Sequence, residues 1–151
     1  MGRQNVDVQI KKTHEDAVVP EYQYELDAGF DLVSVETKLV RPRCTELFDT
    51  GWKVALPPGT GMFILPRSGI SKNTFARIPN SPGTVDAGYR GKVKVLIFNE
   101  SHEKIHRFKK GDRIAQAVIL DTLKANFEIV DELPESERSA GGFGHTGVSD
   151  E

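Results

Sequence analysis

Three side chains in the middle of the sequence offer a carboxylate, a phenol and an amide at close spacing. Residues 83–91 (GTVDAGYRG) contain Asp86 and Tyr89, and Asn80 precedes them with a proline on each side. A Gly-containing turn followed by the alternating run 92–99 (KVKVLIFN) predicts a β-hairpin. Because prolines restrict the entry path, the three side chains can face one pocket. Such a pocket could read a nucleoside beside a general base; the alternative is a surface hairpin in which Asp86 only shapes the turn.

A second candidate site follows Pro66, where residues 67–69 read RSG. Ser68 is predicted to be the N-cap of a short helix over the next residues. A helix start beside Arg67 suits an anion, because unpaired backbone N–H groups and the guanidinium both attract negative charge. Capped helix starts are common, so this pattern alone stays a weak motif.

Two further segments hold polar residues that could join such a site. Residues 27–32 (DAGFDL) place a glycine between two carboxylates, and Asp31 is either a functional carboxylate or a turn residue that bonds its own backbone. The predicted strand 113–120 contains Arg113 and Gln116, which by themselves indicate a solvated strand face.

The C-terminal region changes composition to RSAGGFGHTG at residues 138–147. Its glycines and lack of aliphatic residues predict an arm that cannot fold alone. Phe143 could stack on a base, while Arg138 and Thr146 could hold phosphate. The alternative is a frayed terminus.

Residues 102–106 (HEKIH) match the zinc-protease pattern H-E-x-x-H. The pattern binds metal only on a helix, where His102 and His106 would share one face. The segment is polar, has no apolar helical stripe and lies between a predicted strand and a Gly-Asp turn. A loop is therefore the favoured interpretation.

The chain of 151 residues predicts a single domain with a net charge of -2. A nearly neutral balance argues against binding of duplex nucleic acid. No segment is long and apolar enough to span a bilayer and the N-terminus lacks a signal-like apolar run, so a cytoplasmic protein is expected. Cys44, the only cysteine, excludes an internal disulfide and is expected to be a small core or strand residue.

About ten short strands with regular turn signals and at most one short helix predict an all-β, barrel-like or jelly-roll fold. Trp52 is expected in the core or in an interface. The predicted strands include residues 6–10, 17–19, 32–40, 45–48, 52–56, 62–65 and 126–130.

Taken together and in order, these segments resemble the five motifs of the trimeric deoxyuridine triphosphatases (dUTPases). The resemblance extends over nearly the whole chain, and five ordered motifs are far more specific than any one of them. Thr84 stands where the family usually has an aliphatic residue, and His145 where it often has serine. The motifs are residues 28–32 (AGFDL), 66–69 (PRSG), Asn80 with 83–91, 111–116 (GDRIAQ) and 138–147.

The resemblance implies a β-clip or distorted jelly-roll homotrimer with three active sites at subunit interfaces. Residues 1–134 would form the core, and residues 135–151 a Gly-rich arm that closes over the active site. Each site would combine the first, second and fourth motifs of one chain, the third motif of another and the arm of the third.

The implied reaction is hydrolysis of dUTP to dUMP and pyrophosphate, which limits uracil in DNA and supplies dUMP for dTMP synthesis. Asp86 would activate the attacking water. Mg²⁺ would be held mainly by the substrate phosphates, with Asp31 in contact through water. The substrate-binding residues implied by the resemblance are Arg67, Ser68, Gly69, Asn80, Thr84, Val85, Asp86, Tyr89, Lys94, Gln116, Arg138, Phe143, Gly144, His145 and Thr146.

Two other classes of function remain open from the sequence. A dCTP deaminase shares the core fold but would need a catalytic glutamate near the base pocket, where this chain has Asp86. A nucleotide-sensing module with the same fold could instead bind a regulatory protein partner.

Overall fold

The structure is a computed structural model that describes residues 5–136 and residue 140. Within these residues the chain forms ten strands and one helix of six residues, which confirms the predicted all-β class. The elements are β1 Gln9–Lys12, β2 Phe30–Val33, β3 Lys38–Val40, β4 Thr45–Ala55, β5 Thr60–Leu65, α1 Ser68–Asn73, β6 Ala76–Arg77, β7 Gly83–Asp86, β8 Lys92–Asn99, β9 His106–Phe108 and β10 Arg113–Asp121. No helix in the described part of the chain has the length and hydropathy to cross a bilayer.

The strands form two four-stranded sheets and one small two-stranded sheet. One sheet has the order β1-β4-β8-β6, the second β2-β10-β5-β7, and β3 pairs with β9. All pairings are antiparallel. Buried side chains from both large sheets form one hydrophobic cluster, as expected for a jelly roll.

The core is built from alternating strand residues. In β8, Val93, Val95 and Ile97 are buried while the residues between them are more exposed. Phe48 is fully buried and packs edge-on against Phe108 at 5.5 Å. Trp52 is also buried, which agrees with the first of its two predicted places, the core or an interface.

The predicted hairpin of residues 83–99 is wrong in its pairing. β7 pairs with β5, whereas β8 pairs with β4 and β6, so the two strands belong to different sheets. The turn between them is present, because the Tyr89 N–H donates to the Asp86 carbonyl at 3.0 Å. Period-two alternation marks a strand but does not say which strand lies beside it.

Other predicted strand boundaries also need correction. The first strand begins at Gln9 rather than at residue 6, and residues 17–19 form no strand. The run 32–40 is divided into β2 and β3, because Ser34 Oγ accepts from the Glu36 N–H at 3.0 Å and donates to the Glu36 carbonyl at 2.9 Å. Residues 45–48 and 52–55 belong to one strand, β4, whose pairing with β8 is irregular between Asp49 and Lys53.

Two further predictions are wrong, one for a strand and one for a cysteine. Residues 126–130, predicted to be a strand, have no regular structure, and Phe127 and Ile129 are 96% and 100% exposed. Its alternating pattern has no strand of this chain to pair with among the described residues. Cys44 is likewise exposed, immediately before β4, and not a core residue.

Two carboxylates, Glu36 just before β3 and Asp49 within β4, each form an ion pair with a lysine. Glu36 Oε2 accepts from Lys38 Nζ at 2.9 Å and from the Asp49 N–H at 2.7 Å, and Asp49 Oδ2 accepts from Lys92 Nζ at 2.8 Å. Burial alone would raise the pKa of both carboxyl groups, but these hydrogen bonds outweigh it and hold each pKa below its ordinary value. The ionised forms therefore stabilise the fold.

Replacing Asp49 by asparagine is expected to lower the free energy of unfolding at pH 7 and to lower it less at pH 3. A carboxyl whose pKa is lowered on folding contributes fully above its unfolded pKa, and the contribution disappears as pH falls through the folded pKa. Urea unfolding at both pH values and one protein concentration measures this. Asp7→Asn, at an exposed carboxylate, is the control, and an equal loss at both pH values would contradict the expectation.

Candidate active site

Three neighbouring strands bring the first, second and fourth motifs together. Because β10 lies between β2 and β5, Gln116 is opposite Asp31 on one side and Leu65 on the other. Pro66 and Arg67 follow Leu65 directly, so the entry to α1 lies beside the same point of the sheet. The Gln116 side-chain amide donates to the Pro66 carbonyl at 2.8 Å, which fixes this entry.

Gly29 allows the close approach of the segment before β2 to β10. A Cβ atom at this position would lie 3.0 Å from the Ala117 carbonyl oxygen and 3.3 Å from a Val118 methyl group. The backbone of β10 cannot yield easily, since it is paired on both sides. The glycine between two carboxylates is thus explained by packing, which brings Asp31 beside Gln116.

These elements surround a cavity of about 340 Å³. The cavity can hold several water molecules or phosphate-sized groups, since one water takes about 30 Å³ of the liquid. Ile70 and Thr74, which the sequence analysis did not select, form part of its wall; they lie four residues apart and therefore on one side of the helical turn. The lining residues are Asp31, Arg67, Ser68, Gly69, Ile70, Thr74 and Gln116.

The carboxylate of Asp31, in the cavity wall, is paired with two arginines. Arg67 Nε lies 2.8 Å from Asp31 Oδ1, and Arg113 Nε lies 3.6 Å from Asp31 Oδ2. Two guanidinium groups and one carboxylate leave one positive charge at this point. The arrangement favours a multiply charged anion that can accept hydrogen bonds from Arg67.

Ser68 has a different local role from the predicted one. It is the first residue of α1, while Arg67 is the N-cap in extended conformation and makes no side-chain capping bond. The serine therefore lines the cavity as a helical residue and not as the cap.

The third-motif residues lie along β7 and the start of β8. Val85 is buried, whereas Thr84 and Asp86 are exposed, as alternation along a strand requires. The Asn80 side chain packs against Gly83. A Cβ atom added at position 83 would lie 3.2 Å from Asn80 Nδ2. Lys94 is exposed on β8.

Tyr89 folds over the turn between β7 and β8. Its hydroxyl donates to the Lys92 carbonyl at 3.2 Å, and a Cβ atom at Gly91 would overlap the ring. The glycine at position 91 is therefore needed for this ring position. Tyr89 remains 46% exposed, so one side of the ring is free for another molecule.

Asp86 and the cavity are far apart in one chain. Asp86 is opposite Gly61 at the outer edge of the sheet, whereas Asp31 lies three strands away and four residues along the ladder. Strand spacing and residue rise place the backbone positions of Asp31 and Asp86 roughly 20 Å apart along the sheet. The structure therefore joins Asp31, Arg67 and Gln116 but does not bring Asp86 to them within a single chain.

The predicted arm residues lie outside the described part of the chain. They are Arg138, Phe143, Gly144, His145 and Thr146. Their predicted contacts with base and phosphate stay predictions.

Residues 102–106 do not form the helix that the zinc-protease pattern requires, in agreement with the favoured loop interpretation. His102 lies in a loop and His106 begins β9, so the segment is not helical. His106 packs against Phe108, with ring centroids 4.4 Å apart, and burial lowers its pKa. No group of three His, Cys, Asp or Glu residues in the described ranges is arranged to hold a metal ion.

Fold and site together define a jelly-roll protein with a small cationic pocket beside one sheet. The family model described as dUTPase matches residues 15–147. The deoxyuridine 5'-triphosphate nucleotidohydrolase of Streptomyces griseus is 44% identical over 147 residues, which cover 97% of this chain and 84% of the relative. That of Clostridium acetobutylicum is 43% identical over 143 residues, covering 95% and 98%. This chain belongs to the dUTPase family and is an enzyme of that class.

Solved structures agree with this assignment. A substituted dUTPase of Staphylococcus bacteriophage 80alpha with dUpNHpp has a TM-score of 0.88 at 30% identity, covering 95% of this chain and 100% of that one. A substituted dUTPase from phage phi11 of S. aureus, with a structural Mg(II) ion, has a TM-score of 0.78 at 26% identity, covering 84% and 98%. The predicted β-clip jelly-roll fold is thereby confirmed.

Proposed function

We propose that this enzyme hydrolyses dUTP to dUMP and pyrophosphate at sites shared between three copies of the chain. The observation that carries the proposal is the cavity formed by Asp31, Arg67 and Gln116 in a chain of the dUTPase family. A phage relative of the same fold binds dUpNHpp. The proposed physiological roles are to limit uracil in DNA and to supply dUMP for dTMP synthesis, and the proposed site of action is the cytoplasm.

The distance between Asp86 and the cavity supports a homotrimer. A base roughly 20 Å from the phosphate pocket of its own chain can act only if a second copy brings it there. The exposed residues after β10 offer the contact surface, since Leu123, Phe127 and Ile129 are 96–100% exposed. Such side chains gain about 1.5–3 kcal/mol each when fully buried.

The β7 region is proposed to read the base. Uracil presents an acceptor at O4 and a donor at N3, whereas cytosine presents the reverse, so the Asn80 amide and fixed backbone groups near Val85 can reject cytosine. Because the Val85 side chain is buried, Val85 would contribute backbone groups and not its side chain. Strand backbone along the C5 edge would exclude a methyl group, and the Tyr89 ring beneath the sugar would crowd a 2'-hydroxyl.

Asp86 is proposed to orient and deprotonate the water that attacks the α-phosphate, in line with the leaving pyrophosphate. Its exposed position on an edge strand leaves the carboxylate accessible to a partner subunit. Arg67, Ser68, Gly69 and Gln116 would hold the α- and β-phosphates and offset the charge that develops during the reaction.

The residues that line the cavity fit a Mg²⁺ ion whose ligands come chiefly from the substrate phosphates. Among the described residues, Asp31 is the one carboxylate that lines the cavity, and arginine nitrogens lie beside both of its oxygens. Mg²⁺ in such sites typically takes one or two carboxylates together with phosphates and water. Asp31 would therefore meet the ion through water. When bound, the ion supplies positive charge to the triphosphate.

The C-terminal arm, residues 135–151, is proposed to cover the bound nucleotide. Phe143 would stack on uracil, and Arg138 with Thr146 would hold the γ-phosphate, while Gly144 and His145 would contribute backbone contacts. Closure would exclude bulk water from the reacting phosphate.

Replacing Gly91 by alanine is expected to weaken discrimination between dUTP and UTP. The new Cβ atom would overlap the Tyr89 ring and force it away from the turn. The ratio of kcat/KM for the two nucleotides measures this effect. Gly88→Ala is the matched control, because a Cβ there meets nothing within 4 Å. Equal ratios in the two variants would contradict the role given to the ring.

Pyrophosphate release from dUTP, dTTP, dCTP and UTP, with Mg²⁺ and with chelator, tests the proposed function. We expect release from dUTP alone and a marked decrease with chelator. Ammonia release from dCTP would indicate a deaminase instead. Failure of the folded protein to act on dUTP would overturn the proposal.

A further inference from the structure

A β-bulge at the start of β10 changes the face on which Arg113 lies. Arg113 is opposite Val33 and Ala115 is opposite Leu32, so two steps along β10 match one along β2. Ile114 and Ala115 are consecutive and both buried, at 2% and 0% exposure. An unbroken strand would place Arg113 on the inward face with Ala115. The extra residue turns it to the face of Gln116 instead.

That change brings Arg113 to the carboxylate already used by Arg67. Asp31 Oδ1 accepts from Arg67 Nε at 2.8 Å, and Arg113 Nε lies 3.6 Å from Asp31 Oδ2. The backbone carbonyl of Arg113 also accepts from Arg67 Nη1 at 3.2 Å. Arg67 is thus held at two of its nitrogens, by the carboxylate that Arg113 shares and by the Arg113 backbone.

We propose that Arg113 is a positioning residue for the phosphate-binding Arg67, acting through the shared carboxylate of Asp31. The inference rests on the proposed function, since it concerns the same pocket. Arg113 does not line the cavity and its side chain is 54% exposed, so it lies at the rim beyond Asp31. Its guanidinium beside one carboxylate oxygen holds Asp31 turned toward Arg67, so that the remaining donors of Arg67 stay aimed into the cavity.

A double-mutant cycle separates this role from direct phosphate binding. The variants are Arg113→Gln, Arg67→Gln and the double substitution, with Arg107→Gln on β9 as a control for loss of an exposed arginine. Calorimetry measures the affinity for pyrophosphate with Mg²⁺, and steady-state assays give kcat and KM for dUTP. Thermal unfolding measures the Tm of every variant.

We expect Arg113→Gln to weaken pyrophosphate binding about tenfold when Arg67 is present and less than about twofold when it is absent. KM should rise more than kcat falls, and Tm should match that of Arg107→Gln. Arg113→Lys keeps the charge and should restore part of the affinity; it replaces Arg113→Gln in the cycle if the glutamine variant does not fold.

An undiminished effect of Arg113→Gln in the Arg67→Gln background would overturn the inference, because Arg113 would then act without Arg67. Wild-type affinity in Arg113→Gln would overturn it equally. A wild-type enzyme that does not hydrolyse dUTP would refute the proposed function, while the pyrophosphate cycle would still decide the role of Arg113.

Discussion

Asp86→Asn is expected to lower kcat for dUTP by about 10²- to 10⁴-fold, the usual contribution of a positioned general base. The amide keeps the size and shape of the carboxylate but cannot take a proton from water. Asp86 is exposed, and its side chain makes no hydrogen bond or ion pair with another residue of the described ranges 5–136 and 140, so the fold should be retained. Affinity for dUpNHpp should remain close to wild type, because the change removes an interaction made mainly in the transition state.

Asp121→Asn is the matched control for this substitution. Asp121 is an exposed carboxylate on the same sheet, opposite Thr60, next to the Gly61 that faces Asp86. Kinetics should match wild type in the control. Normal turnover by Asp86→Asn would remove the assignment of this residue as base.

A chain that ends at Pro134 is expected to form a folded trimer with dUTP hydrolysis reduced on the order of 10²-fold or more, the scale seen when a donor to transition-state charge is lost. The truncation removes the proposed phosphate and base contacts of the arm. It keeps the exposed apolar residues 123–133 that are proposed to bind a neighbouring subunit. Light scattering on the eluted protein measures the oligomer, and steady-state assays measure kcat/KM.

A chain that ends at Gly147 is the control, because it retains every arm residue assigned to substrate. Its activity should equal that of the full chain. Equal activity in the chain that ends at Pro134 would rule out a catalytic arm.

The cavity was largely predictable from sequence because its residues belong to short local motifs. Arg67, Ser68 and Gly69 are consecutive, and the strands that carry Asp31 and Gln116 are marked by alternation. Their convergence depends on β10 pairing with both β2 and β5. The resemblance to the family supplied that convergence, whereas composition and periodicity did not.

The misassigned features depend on contacts between distant parts of the chain. The pairing of β7 with β5 instead of β8 is decided by which surfaces bury each other, and local alternation is the same in both cases. Arg113 and Gln116 do share the solvated strand face predicted for them, but no glycine or proline in β10 marks the bulge at Ile114 that makes this possible. Residues 126–130 alternate like a strand, yet the single chain offers them no partner among its described residues.

Subunit mixing tests most directly whether dUTP is hydrolysed at a site that takes its pocket from one chain and Asp86 from another. Asp86→Asn and Arg67→Gln chains, each nearly inactive alone, are unfolded together and refolded as an equal mixture. In a cyclic trimer with a head-to-tail interface, about one quarter of the sites then combine an intact Arg67 with an intact Asp86. The account predicts recovery to about one quarter of wild-type turnover on dUTP. A mixture as inactive as its two parents, with trimers of both chains present, would contradict it.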